Sequence, residues 1–225
     1  MITKRIPKDV GAPFAAKWTK DIPIFFRTAF SFWQGMHFLR HTKRAVTFFG
    51  SARVPMEHDF YQQARATSAE LAKRGFTIIT GGGPSLMQAA NQGAHEAGGK
   101  SIGVNIQIPH EQGFNPFVTH GIKSRYFFVR KVLLARYSEA FVVYPGGFGT
   151  LDELFEIITL LQTGKMINRP VVLVGREFWS GLLAWCRGTL LAHGMINEKE
   201  LNRIKVVDTT EEVIAALKSL GLAIE

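Results

Sequence analysis

The sequence predicts an α/β fold, a doubly wound and mostly parallel sheet preceded by a basic helical extension. Three observations carry that expectation. Short, almost wholly apolar runs recur after residue 44, among them "AVTFF", "FTIIT", "AFVVY" and "PVVLV". Strands of this composition are buried on both faces, as in parallel sheets covered by helices. Longer stretches between them carry helical periodicity, and glycines gather where the strands end.

The elements follow in order. "RAVTFFGS" reads as a buried strand ending at Gly50, and Glu57 to Arg74 as a helix stopped by Gly75. "FTIIT" is the second strand. It runs into "GGGPSLMQAANQGAHEAGG", a glycine turn, a helix and a Gly98-Gly99 stop. "KSIGVNI" is a third strand, followed by a Pro/Gly/Asn-rich loop from Pro109 to Pro116. "FVTHGIK" reads as a short strand before a helix from Arg125 to Tyr137. "AFVVY" is the next strand, and "PGGFGTLDE" opens a helix reaching Thr163. "PVVLVG", a helix through "FWSGLLAWCRGTLLAHG", the strand "IKVVD" and the helix "TTEEVIAALKSLG" complete a Rossmann-like domain over residues 44–225.

Charge separates the first 43 residues from that domain. The chain of 225 residues has a net charge of +9. Residues 1–45 hold nine Lys/Arg against Asp9 and Asp21, so the body is nearly neutral. A body of that kind is a poor binder of duplex nucleic acid. Within the extension, "IPIFFRTAFSFWQGMHFL" is aromatic-rich, but Arg27 interrupts it and no small-residue cleavage site follows. Arg27, Thr28, Gln34 and His37 also break the run of about 20 apolar residues that a membrane span needs. An amphipathic helix packed on the body or on another subunit is expected, and no membrane partner. The lone cysteine, Cys186, suits a reducing compartment, and a cytoplasmic location is expected. No Cys/His cluster has the spacing of a metal site.

Ligands of open α/β sheets bind beyond the carboxyl ends of the strands. Three loops there are built for close backbone approach: Gly50 to Arg53, Gly81 to Pro84 and Pro145 to Thr150. The last two open helices, whose free N–H groups make an anion site, most simply for a phosphate. Neither fits the P-loop or the dinucleotide fingerprint, so a mononucleotide or sugar phosphate is the better expectation. Thr150 and Glu153 have the spacing of a capping box, and Asp152 reads as a first-turn acid complementing the helix dipole. Glu153 has a rival role, over the phosphate pocket, where it would bind hydroxyls or manage a proton. The cation partner is expected in "SRYFFVRKVLLARYS", where Arg130 and Lys131 are adjacent and point in different directions. The residue pattern alone leaves the choice between them open.

These motifs together, "GGGPSLMQAANQGAHEAGGKSIGVNI", the "RK" pair and "PGGFGTLDE", closely resemble the LOG family. Its members are cytokinin riboside 5'-monophosphate phosphoribohydrolases, long mislabelled as lysine decarboxylases. The resemblance spans roughly residues 44–210, and the family pattern P-G-G-x-G-T-x-x-E is matched in full from Pro145 to Glu153. "NPFVTHGIKSRYFFVRK" and "LLQTGKM" look like the longer-chain branch, whose members tend to form higher oligomers.

The resemblance implies hydrolysis of a purine nucleoside 5'-monophosphate, a cytokinin nucleotide or AMP, to free base and ribose 5-phosphate. It implies catalytic roles for Arg130 and Glu153. Substrate contacts are expected from Ser51, Gly82, Gly83, Met87, Lys131, Gly146, Gly147, Gly149 and Thr150. No metal or organic cofactor is expected, and a homodimer or larger homo-oligomer is. The family's second motif often reads GGGxxGLMG, whereas this chain has Ser85 before Leu86-Met87 and Gln88 after them. That departure bears on the identity of the base.

Two rivals stand beside this reading. The same fold could carry a nucleotide-like phosphorylated ligand, such as molybdenum cofactor, without hydrolysing it. The basic extension could contact nucleic acid, with steeply salt-dependent binding that removal of residues 1–43 abolishes. Decarboxylation by pyridoxal phosphate is disfavoured, because it needs a Schiff-base lysine and a partner for the pyridine nitrogen. Lys131 and Lys165 are candidates only in being lysines.

Overall fold

The computed structural model describes residues 18–107, 113–167 and 169–224. The first 17 residues of the expected extension, and part of the loop from Pro109 to Pro116, lie outside them.

Seven parallel strands form one sheet: β1 (Ala45–Phe49), β2 (Thr77–Thr80), β3 (Ser101–Ile106), β4 (His120–Ser124), β5 (Ala140–Val143), β6 (Val171–Val174) and β7 (Ile204–Val207). Their order is β4-β3-β2-β1-β5-β6-β7. The five inner strands are buried along their whole length, which is why they read as unbroken apolar runs. β4 and β7 are the edges, and each keeps exposed residues.

Alternate side chains of each inner strand feed two cores. Val46, Phe48, Ile78, Val142 and Val172 face α2 (Asp59–Lys73), α3 (Leu86–Glu96) and α8 (Thr210–Ser219). Phe49, Ile79, Val104, Phe141 and Leu173 face α4 (Phe127–Arg136), α5 (Phe148–Gln162) and α6 (Arg176–Trp185). This is the doubly wound arrangement expected from the sequence. The long helix predicted after β6 is found as α6 continued by a π-helical turn, Cys186–Leu191. A short helix that the sequence reading passed over, α7 (Glu198–Leu201), is capped by Asn197 in a reciprocal capping box.

The extension contributes α1 (Trp18–Leu39), which lies on α4. Gly35 makes that contact possible, since a Cβ there would stand 2.2 Å from Leu133 Cδ1. Phe32 meets Phe128, and the Tyr137 hydroxyl donates to the Met36 carbonyl at 3.3 Å. The opposite face of α1 leaves Ile22, Phe26, Phe30 and Trp33 more than half exposed. Among the described residues no helix is long and apolar enough to cross a membrane.

Candidate active site

The topology decides where a ligand can sit. From β1 the chain winds outward through β2, β3 and β4, then returns to the other side of β1 as β5. The loops after β1 and β5 therefore diverge and leave a crevice at the carboxyl edge of the sheet. The crevice has a volume of about 560 Å³.

Its floor is held by backbone contacts. Ser51 N–H donates to Pro145 O at 3.0 Å, and Leu86 N–H donates to Ser51 O at 3.2 Å. The loops after β1 and β5 and the start of α3 are thus tied at one residue. Gly146 is required by closeness: a Cβ there would lie 2.1 Å from Thr150 Oγ1 and 3.0 Å from Ser51 N.

α5 begins at Phe148, with Gly147 as a cap that offers no side-chain acceptor. Among the described residues its first N–H groups have no intrahelical or side-chain acceptor, which leaves them to a ligand. The start of the helix also corrects the capping expectation. Thr150 and Glu153 lie inside α5, too far along to form a capping box, and Asp152 stands in the second turn. The glycines extend the helix two residues upstream of Thr150, which frees Glu153 from its own helix end.

Glu153 instead meets Arg130 of α4, Oε1 to Nη1 at 3.0 Å, with both side chains 12% exposed. Arg130 Nε also donates to Val104 O at 2.9 Å, within β3. The guanidinium passes over Gly81, where a Cβ would lie 2.2 Å from Nη2. Burial raises the pKa of Glu153 above the ordinary carboxylate range, and the charge of Arg130 only partly offsets that. A buried carboxylate beside one fixed cation is a group that can take or hold a proton near the bound ligand.

Of the residues singled out in the sequence, Ser51, Met87, Arg130, Gly147, Gly149, Thr150 and Glu153 line the crevice. Gly82, Gly83, Gly146 and Lys131 do not line it. Gly146 acts beneath the loop, as described. Gly82 has φ +70° and closes its turn through its N–H to Thr80 Oγ1, 2.8 Å. Gly83 leaves room for Met87, whose Cε would lie 2.7 Å from a Cβ there. Lys131 points the other way around α4, to Asp152 at 3.1 Å and Glu156 at 3.3 Å. One residue along a helix is about 100° of rotation, and that separates the two members of the "RK" pair. Gly50, Ala52, Arg53 and Phe148, which the sequence places in the ligand-facing loops without a substrate contact of their own, and Leu151, which it does not single out, also line the crevice. For Arg53 the signal was present, since it closes the glycine-containing loop after β1.

A pyridoxal group does not fit this crevice. No lysine lines it among the described residues. Burial alone would lower the pKa of Lys131, but its two carboxylates outweigh that and raise it, holding the amine as a cation. Lys165 lines a separate hollow between α4 and α5. Among the described residues no three His, Cys, Asp or Glu side chains gather as a metal site would require.

Comparison with known proteins follows the same lines. A cytokinin riboside 5'-monophosphate phosphoribohydrolase of Mycobacterium tuberculosis is 33% identical over 171 residues, 73% of this chain and 89% of its own. The rice cytokinin riboside 5'-monophosphate phosphoribohydrolase LOG is 29% identical over 184 residues, 78% of this chain and 73% of its own. Among solved structures, the molybdenum cofactor carrier protein of Chlamydomonas reinhardtii superposes with a TM-score of 0.58 at 24% identity, covering 79% of this chain and 98% of that one. The molybdenum cofactor binding protein of Rippkaea orientalis gives 0.58 at 22% identity, covering 80% and 98%. Both share the fold. A family model described as "Possible lysine decarboxylase" matches residues 87–217, more than half of the chain. With the glycine turns and the Arg130–Glu153 pair in place, the chain belongs to that family, the LOG family.

Proposed function

We propose that the crevice hydrolyses the N-glycosidic bond of a purine nucleoside 5'-monophosphate, giving free base and ribose 5-phosphate. The observation that carries this reading is the Arg130–Glu153 pair, 3.0 Å apart and nearly buried, beside the uncapped start of α5. A carrier of a phosphorylated ligand has use for the glycine turn but none for a costly buried carboxylate next to it. The naming of the relatives as phosphoribohydrolases supports the same reading.

The chemistry follows from the groups present. The open N-terminus of α5, with Gly147, Gly149 and Thr150, receives the 5'-phosphate, and that remote binding energy positions the ribose. Cleavage of the C1'–N bond leaves positive charge on the sugar and negative charge on the departing base. Glu153 as carboxylate stabilises the sugar cation and removes a proton from the attacking water. The water's oxygen bonds to C1', and the base leaves with the bonding pair and takes up a proton. Arg130 holds Glu153 in register and favours its ionised form in a setting that disfavours its charge. The exposed apolar stripe of α1, together with Phe127 and Phe128 on α4, supports self-association, which light scattering tests.

The deciding experiment incubates the protein with AMP and with isopentenyladenosine monophosphate, and measures free base and ribose 5-phosphate by chromatography. Base release that a folded Glu153→Gln variant loses supports the proposal, and the substrate ratio reports base preference. Tight AMP binding without release favours the carrier reading instead.

A further inference from the structure

We propose that Arg53 is the residue that recognises the substrate's 5'-phosphate, leaving Arg130 to serve Glu153. The inference deepens the phosphoribohydrolase reading and rests on it.

The argument is one of charge. Among the described residues, the charged side chains lining the crevice are Arg53, Arg130 and Glu153. Arg130 is committed twice, to the Glu153 carboxylate at 3.0 Å and to the Val104 carbonyl at 2.9 Å. Lys131, the other nearby cation, is held outside the crevice by Asp152 and Glu156. Arg53 enters no ion pair among the described residues. The Arg130–Glu153 pair sums to zero, so the net charge of the lining is that of Arg53. A phosphate monoester brings about −1.5 to −2 at neutral pH. The partial charge of a helix end, roughly +0.5, compensates only part of it. Arg53 supplies the remainder.

The backbone puts Arg53 in the right place. Its N–H donates to Ser51 Oγ at 3.0 Å, which folds residues 51–53 into a tight turn. The same Ser51 donates its own N–H to Pro145 O, two residues before the cap of α5. The loop carrying Arg53 is therefore fastened to the loop that opens the phosphate-receiving helix. The turn is fixed while the Arg53 side chain is exposed and free to fold over a ligand. A guanidinium offers two parallel N–H donors to a phosphate, which an ammonium does not. The consequence is discrimination: nucleotides are selected over nucleosides by Arg53, separately from the groups that break the bond.

The test compares AMP with adenosine, in binding by calorimetry and in base release, for wild type, Arg53→Ala and Arg53→Lys. Losing one charge-assisted contact weakens AMP binding by about 10- to 100-fold. Arg53→Ala is expected to show that loss for AMP alone, with adenosine binding and circular dichroism unchanged and with a shallower salt dependence. Arg53→Lys is expected to recover part of it. Unchanged AMP affinity in Arg53→Ala overturns the inference, and so does an equal loss for AMP and adenosine, which would place Arg53 on the base or ribose. Should wild type bind AMP yet release no base, the hydrolase reading fails while the binding arm still decides the role of Arg53.

Discussion

Gly81→Ala offers a sharp test of whether the Arg130–Glu153 geometry matters. The added Cβ would stand 2.2 Å from Arg130 Nη2 and 2.8 Å from Met87 Sδ. Ordinary carbon contacts begin near 3.5 Å, so the guanidinium has to retreat by about 1 Å. Its two bonds, 3.0 Å to Glu153 Oε1 and 2.9 Å to Val104 O, then stretch or break. Both displaced groups are the far ends of flexible side chains, and Gly81 is not among the glycines with positive φ. The chain therefore still folds, with a loss of about 1–3 kcal/mol for the loosened ion pair and its carbonyl contact. A misplacement of about 1 Å at a catalytic group costs on the order of 100-fold in rate, the same size as one lost charge-assisted hydrogen bond. The assay is base release from a nucleoside monophosphate, alongside urea denaturation of the same preparation. Loss of Arg130 as neighbour also raises the Glu153 pKa further, so the acid limb of the pH–rate profile moves to higher pH. Wild-type turnover and an unmoved acid limb in a folded Gly81→Ala variant would refute the reasoning.

Three further outcomes are expected. The raised pKa of Glu153 makes its ionised form a burden to the fold, so the stability gained by Glu153→Gln relative to wild type grows as pH rises through the folded-state pKa. Thermal melts at pH 4 to 8 check this, and a difference independent of pH contradicts it. Asn91, fully buried, accepts from Thr80 Oγ1 at 2.6 Å and Asn115 Nδ2 at 2.9 Å, and donates to Ser101 Oγ at 2.7 Å. Asn91→Ala orphans these groups and is expected to cost about 3 kcal/mol or more in urea unfolding, loosening the Gly82 turn as it does so. Ser85 holds φ +60°, a region that favours glycine, and is compensated by its hydroxyl donating to Val54 O at 2.8 Å. Ser85→Ala keeps the strain and loses the bond, so it should melt below Ser85→Gly, which loses the bond and relieves the strain of about 1 kcal/mol.

Much of this molecule was determined by sequence alone. Strands buried on both faces have no polar side to show, so β1, β2, β3, β5 and β6 announce themselves as apolar runs, and the parallel sheet follows from them. The glycine turns were legible because only a residue without a Cβ allows the approach of Gly146 to Thr150, or of Gly81 to Arg130. Which charges meet was decided by tertiary structure. Local spacing made Thr150 and Glu153 look like a capping box, but a carboxylate 23 residues away in sequence from Arg130 became its partner once α4 and α5 packed on the same face of the sheet. The same packing sent Lys131 to Asp152 and Glu156, and left Arg53 in the crevice without an ion pair among the described residues. Periodicity records which side of an element is buried. Electrostatic pairing depends on the distance between elements, and only the assembled sheet sets it.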